Sequence, residues 1–107
     1  MEKGFCFVCG SHNTVGLRLD FKLDRENQQA SCITVTSEEY QGWDGVVHGG
    51  VVASMLDGSM VYACKSMDLD CFTAELTVRY KKPVPINKQV EIIAQVKDKR
   101  KKTKDKR

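Results

Sequence analysis

Apolar and polar positions alternate along much of this chain, and one stretch switches to a helical period. Leu17, Leu19, Phe21 and Leu23 are separated by Arg18, Asp20 and Lys22, which predicts a half-buried strand. Asp24-Arg25-Glu26-Asn27 reads as a turn, and Ala30 to Thr36 as a second strand, so the two should form a hairpin. Ser37 to Gly45 is a loop carrying the only tryptophan, Trp43. From Val47 to about Ser66 the period changes: Val52, Met55, Leu56, Ser59 and Ala63 recur at helical spacing without an intervening proline. This predicts one long, mostly buried helix. Phe72, Ala74, Leu76, Val78 and Tyr80 then alternate with Thr73, Glu75, Thr77 and Arg79, predicting a strand. Pro83 and Pro85 break pairing, and Val90, Ile92, Ala94 and Val96 mark a final strand. Strand, strand, helix, strand, strand is α+β: an antiparallel sheet packed on one helix. There is no internal repeat.

At 107 residues the chain has the size of one domain with a single small core. The apolar and charged fractions are ordinary for a soluble protein. No apolar run approaches a membrane span, and Met1 to Cys6 lacks the basic-then-apolar pattern of a secretory signal. Five cysteines, an odd number with no export signal, imply reduced thiols and a cytoplasmic protein. The formal charge of +3 is unevenly spread: residues 97–107 hold eight Lys/Arg and two Asp, so the remainder is acidic. The domain proper is expected over about residues 5–97, with 98–107 a solvated basic tail. The tail could attract the phosphates of a nucleotide-bearing ligand, of RNA or of a membrane. It has no interleaved aromatic residue, so stacking on nucleic-acid bases is not expected.

The chemistry concentrates at Val47-His48-Gly49-Gly50. Two glycines make a poor helix interior and a good entrance, where the first N–H groups are unpaired and carry positive dipole charge. A helix beginning at His48 therefore presents donors to a developing oxyanion, with Gly49 and Gly50 allowing close approach. Asp57 follows within an apolar stretch, and its neighbours three and four residues away are Ala53, Ser54, Met60 and Val61. Such surroundings should push its pKa upward, as suits a general base. The alternative is a structural Asp57 bonded to backbone or to Ser54. Gly49 and Asp57, eight residues apart on one helix, are separated by about 12 Å along its axis. Both cannot reach one carbonyl carbon, so a two-fold dimer combining Gly49 of one subunit with Asp57 of the other is expected. Trp43 is expected either to anchor its loop on the core or to wall a pocket. Cys6-x-x-Cys9 with His12 suggests half a zinc site, but a structural zinc takes four ligands and no second such pair exists. Small buried thiols are the favoured reading.

These residues resemble the hotdog-fold thioesterases, in particular the phenylacetate-pathway type. The resemblance runs from residue 5 to about residue 97. It rests on Cys6-Phe7-Val8-Cys9-Gly10, Gly16-Leu17, Tyr40-Gln41-Gly42-Trp43-Asp44-Gly45-Val46-Val47-His48-Gly49-Gly50, Asp57, and Thr73 before Tyr80 and Pro83. It implies a curled antiparallel sheet wrapped around one long helix and hydrolysis of an acyl-CoA-type thioester to free acid and thiol. It further implies that Gly49 N–H polarises the thioester carbonyl, that Asp57 is general base or nucleophile, and that Thr73 orients the attacking water. His48 would position the carbonyl or brace the loop, and Val47, Gly50 and Trp43 would contact substrate. The expected partners are acyl-CoA and further copies of the chain, as a homodimer or dimer of dimers; neither nucleic acid nor membrane is expected. Coenzyme A would enter as part of the substrate, with no separate cofactor and no metal. Alternatives are a non-catalytic acyl-CoA-binding or assembly protein, or a hotdog hydratase or dehydratase.

Three departures from the family pattern stand out. Gly42 lies near a position where many relatives carry Asn. Gly58 follows the helix acid where many carry Glu, at a helix cost of about 1 kcal/mol relative to Ala. Relatives continue with about two more strands where this chain has its basic segment, so the C-terminal strands are expected to be missing or shortened and a sheet edge exposed.

Overall fold

A computed structural model describes residues 4–97. The expected basic tail, 98–107, lies outside the described residues. Three strands form one antiparallel sheet in the order β1-β2-β3: β1 is Lys22–Asp24, β2 is Gln29–Val35 and β3 is Gln89–Gln95. One helix, α1, spans Gly49–Lys65 and lies against the sheet. The turn between β1 and β2 is held by Asp24, whose carboxylate accepts from the backbone and side-chain amides of Asn27.

The alternating pattern places Ala30 and Cys32 of β2 and Ile92 and Ala94 of β3 on the buried face, paired as Ala30↔Ala94 and Cys32↔Ile92. The helix contributes Met55, Ser59, Tyr62 and Ala63. Small side chains at Ala30, Ala63 and Ala94 bring sheet and helix close near the helix C-terminus, where Phe21 stacks on Tyr62 with ring centroids 4.8 Å apart. At the other end Leu19, Val47, Met55 and Ile92 close the core with Val8.

Two strand expectations are corrected. The first strand, expected over Leu17 to Leu23, is a ladder only from Lys22. Arg18 has φ +52°, which breaks the extended run, and Leu17 and Leu19 donate instead to the carbonyls of Phe7 and Val8 at 2.8 Å. The segment from Phe72 to Tyr80 is not a strand of the sheet. It has no ladder among the described residues, and most of it is exposed, Phe72 at 97%. Alternation specifies two faces, but a strand also needs a neighbour, and none of the described strands pairs with this segment.

The N-terminal cysteine motif forms a tight loop closed by Gly10 N–H on the Cys6 carbonyl at 2.8 Å. Cys9 is buried and receives the Tyr62 hydroxyl at 3.2 Å. Burial works against the Cys6 thiolate, but hydrogen bonds from Cys9, Val8 and Gly10 outweigh it and lower the Cys6 pKa. None of the five cysteines is in a disulfide. The loop presses Val8 onto the helix at Gly58, where an added methyl would lie 2.7 Å from Val8 Cγ1. This close approach explains a glycine in mid-helix. Gly58→Ala gains about 1 kcal/mol of helix propensity but meets a stiff β-branched neighbour, and overpacking costs about 1–3 kcal/mol. The expected result is a Tm below wild type in thermal unfolding; a Tm raised by the substitution would show that Val8 yields without cost. No helix among the described residues is long and apolar enough to cross a membrane.

Candidate active site

The loop before α1 is a small antiparallel turn that delivers His48 to the helix start. His48 N–H donates to Tyr40 O at 2.8 Å, Gln41 and Val47 form a bridge, and Gly42 N–H donates to Val46 O at 2.9 Å. Val47 N–H donates to Val84 O at 2.8 Å, pinning the loop to the proline segment. Tyr40 OH reaches back to the carbonyls of Val15 and Gly16. A side chain at Gly42 would come within 3.3 Å of the His48 ring and backbone, so the absence of Asn here leaves room for the imidazole.

His48 is the N-cap of α1. Its Nδ1 accepts from Gly50 N–H at 2.9 Å, and its carbonyl accepts from Val51 and Val52 at 2.9 and 3.0 Å. Of the first-turn donors, only Gly49 N–H has no acceptor among the described residues. The donor at the positive end of the helix is therefore open at the glycine expected to carry it, while Gly50 N–H serves to orient His48. With Nδ1 accepting, a neutral His48 ring carries its proton on Nε2.

Gly49 and His48 line a cleft of about 860 Å³ together with Val47, Val52, Trp43 and Asp44 on one side and Tyr80 to Val84 on the other. Val47 belongs to the core and contributes to the wall as well. Trp43, at the tip of the turn, is 86% exposed, so the expectation that it anchors the loop on the core is corrected: a tight turn projects it outward along the cleft. Gly50 is not part of the lining. Tyr80 had no role assigned from sequence, yet its hydroxyl donates to Gly49 O at 2.7 Å and its ring lies 3.6 Å from where a Gly49 side chain would begin. The only signal for it was its place at the end of an alternating run.

Asp57 sits two turns further along α1 and is half-buried. Thr73 Oγ1 donates to its Oδ1 in a short hydrogen bond. Ser54 does not bond Asp57; its hydroxyl donates to Gly50 O at 2.9 Å. The structure thus brings Asp57 and Thr73 together and brings Gly49, His48, Val47 and Trp43 together, but within one chain it keeps the two sets apart. Thr73 borders a second depression of about 480 Å³, lined by Met60, Val61, Cys64, Cys71 and residues 72–75 and 77. Burial, aided by the neighbouring Cys71 thiol, pushes Cys64 up to about 11, so it stays protonated at neutral pH. Among the described residues no three His, Cys, Asp or Glu side chains converge as a metal site.

The arrangement of helix, sheet and glycine-opened helix start matches known proteins. The profile of the family described as the thioesterase superfamily matches residues 44–103, more than half of the chain. The chain belongs to the thioesterase superfamily. A crystal structure of another thioesterase superfamily protein superposes with a TM-score of 0.82, covering 88% of this chain and 48% of that one at 24% identity; this likeness establishes the hotdog fold. Two curated relatives are named acyl-coenzyme A thioesterase THEM4. The Rattus norvegicus protein is 26% identical over 96 residues, covering 90% of this chain and 41% of its own length. The Xenopus laevis protein is 30% identical over 86 residues, covering 77% of this chain and 37% of its own. The chain therefore spans about two fifths of the length of these superfamily relatives.

Proposed function

We propose that this protein hydrolyses acyl-CoA-type thioesters in a site shared between two copies of the chain. The observation that carries the proposal is the open Gly49 N–H at the start of α1, beside a histidine held by the next amide. This donor suits the oxyanion that forms when a thioester carbonyl is attacked, and one such donor typically contributes about 10²–10³ in rate. Asp57 takes a proton from water as the water attacks the carbonyl carbon; in the alternative Asp57 itself attacks, the thiolate leaves, and water then hydrolyses the acyl-aspartate anhydride to the free acid. Thr73, bonded to Asp57 Oδ1, leaves the other carboxylate oxygen for the water and offers its own oxygen as an acceptor for the second water hydrogen. His48 positions the carbonyl from the N-cap. The tetrahedral intermediate then collapses, the C–S bond breaks, and the departing thiolate is protonated to give free acid and thiol.

Separation of the two residue sets supports a dimer. The names of the THEM4 relatives support acyl-CoA as the substrate. Five cysteines with no disulfide among them fit a reducing compartment such as the cytoplasm. Thiol release measured over short, long and aromatic acyl-CoAs tests the proposal, the aromatic members addressing the phenylacetate-type assignment. Turnover on at least one acyl class is expected. Binding across the panel with no thiol released would identify an acyl-CoA-binding protein instead.

A further inference from the structure

We propose that Cys6 and Cys9 form a reversible dithiol–disulfide pair oxidised by peroxide, with Cys6 the attacking thiol and Cys9 the resolving one. The pair sits in one tight loop, closed by Gly10 N–H on the Cys6 carbonyl at 2.8 Å, with the two thiols in hydrogen-bond contact. A side chain at Gly10 would begin 2.4 Å from Cys6 N, so glycine is what lets the chain turn back this tightly. The two thiols are unequally placed. Cys6 is partly exposed, within reach of a small oxidant, and Cys9 is buried. The Tyr62 hydroxyl donates to Cys9 Sγ at 3.2 Å, which supports negative charge on that sulfur when the disulfide is reduced. Burial opposes the Cys6 thiolate, but hydrogen bonds from Cys9, Val8 and Gly10 favour it. Elsewhere burial pushes Cys32 up, and burial with the Cys71 thiol pushes Cys64 up to about 11. Among the described residues no third His, Cys, Asp or Glu joins Cys6 and Cys9 as a metal site.

The chemistry has two steps. Cys6 thiolate attacks one oxygen of hydrogen peroxide, the O–O bond breaks, and protonation releases water, leaving a sulfenic acid on Cys6. Cys9 sulfur then attacks Cys6 sulfur; the S–O bond breaks, and the hydroxide leaves as water with the Cys9 proton. Two thiols and one peroxide thus give one disulfide and two waters. A reducing dithiol reverses the change by exchange and is itself oxidised.

The loop bears on the helix. Val8, between the two cysteines, lies so close to Gly58 that no methyl group fits there, and Gly58 follows Asp57. Closing the thiols from hydrogen-bond contact to a bond of about 2 Å contracts the loop and shifts Val8 on α1. No step uses acyl-CoA, so this pair and the thioesterase proposal stand or fall separately.

The test treats the reduced full chain with one equivalent of hydrogen peroxide, followed by alkylation and peptide mapping. The first product should be a Cys6–Cys9 disulfide, reversed by dithiothreitol. Cys6 should react about tenfold faster than Cys64, the larger thiolate fraction being partly offset by lower nucleophilicity. Cys9→Ser should stop at a Cys6 sulfenic acid that dimedone traps, and Cys6→Ser should leave Cys9 reduced. Mapping on wild type decides the matter even if a serine variant fails to fold. A first disulfide at Cys64–Cys71, or Cys6 oxidised no faster than Cys64, would overturn the inference. Amide hydrogen exchange across Met55 to Tyr62 should quicken on oxidation and recover on reduction; exchange unchanged by the disulfide would overturn its coupling to the helix.

Discussion

Asp57→Asn should retain the fold and lose about 10² to 10⁴ in kcat on the best acyl-CoA, the cost of removing a general base. The substitution keeps the size of the side chain and an oxygen that can accept from Thr73 Oγ1, so the hydrogen bond seen in the structure can persist while the base is gone. Asp57 is half-buried and lies outside the buried helix set of Met55, Ser59, Tyr62 and Ala63, so packing should change little. Circular dichroism and thermal unfolding should match wild type. Wild-type turnover in the variant would remove Asp57 from the chemistry. Loss of activity together with loss of fold would show that its role is structural.

Gly49→Pro tests the other half of the site, and the local geometry makes it unusually clean. Proline lacks an N–H, and Gly49 is the first residue of α1, where proline is well tolerated because that N–H has no intrahelical acceptor. The residue before it, His48, already has φ −57° and ψ 135°, a conformation compatible with a following proline. The new Cβ would lie 3.6 Å from the Tyr80 ring, an ordinary van der Waals contact. The helix and its His48–Gly50 cap should survive while the oxyanion donor disappears. The expected loss in kcat is about 10²–10³. Near-normal turnover with the helix intact would mean that the thioester oxygen is held elsewhere.

The helix and the two long strands were legible because burial alone dictates them. Met55, Ser59 and Ala63 do line the buried helix face, and Ile92 and Ala94 the inner face of β3. The histidine-glycine entrance was legible for a similar local reason, since helix starts have unpaired donors whatever surrounds them. What could not be read depends on distant partners. Phe72 to Tyr80 alternates as a strand does, but alternation does not specify which segment pairs with it. Gly58 read only as a helix cost until Val8, fifty residues away, was found against it. Trp43 read either as a loop anchor or as a pocket wall, and the sequence did not show that a tight turn sends it outward along the cleft. Tyr80 carried no signal of its hold on Gly49, because the contact joins a helix start to a loop thirty-one residues away. The family resemblance gave Asp57 and Thr73 separate roles toward the water; the hydrogen bond between them was not read from the sequence, because periodicity could not have joined them.

In the proposed dimer one site needs Gly49 from one copy and Asp57 from another. Mixing Asp57→Asn subunits with Gly49→Pro subunits, under conditions where subunits exchange, tests it most directly. Each mixed dimer should contain one site with both groups intact and one with neither. Random pairing makes about half of the dimers mixed, so thiol release should recover to about a quarter of the wild-type rate. Activity that stays at the sum of the two inactive parents, with subunit exchange verified, would contradict the shared site.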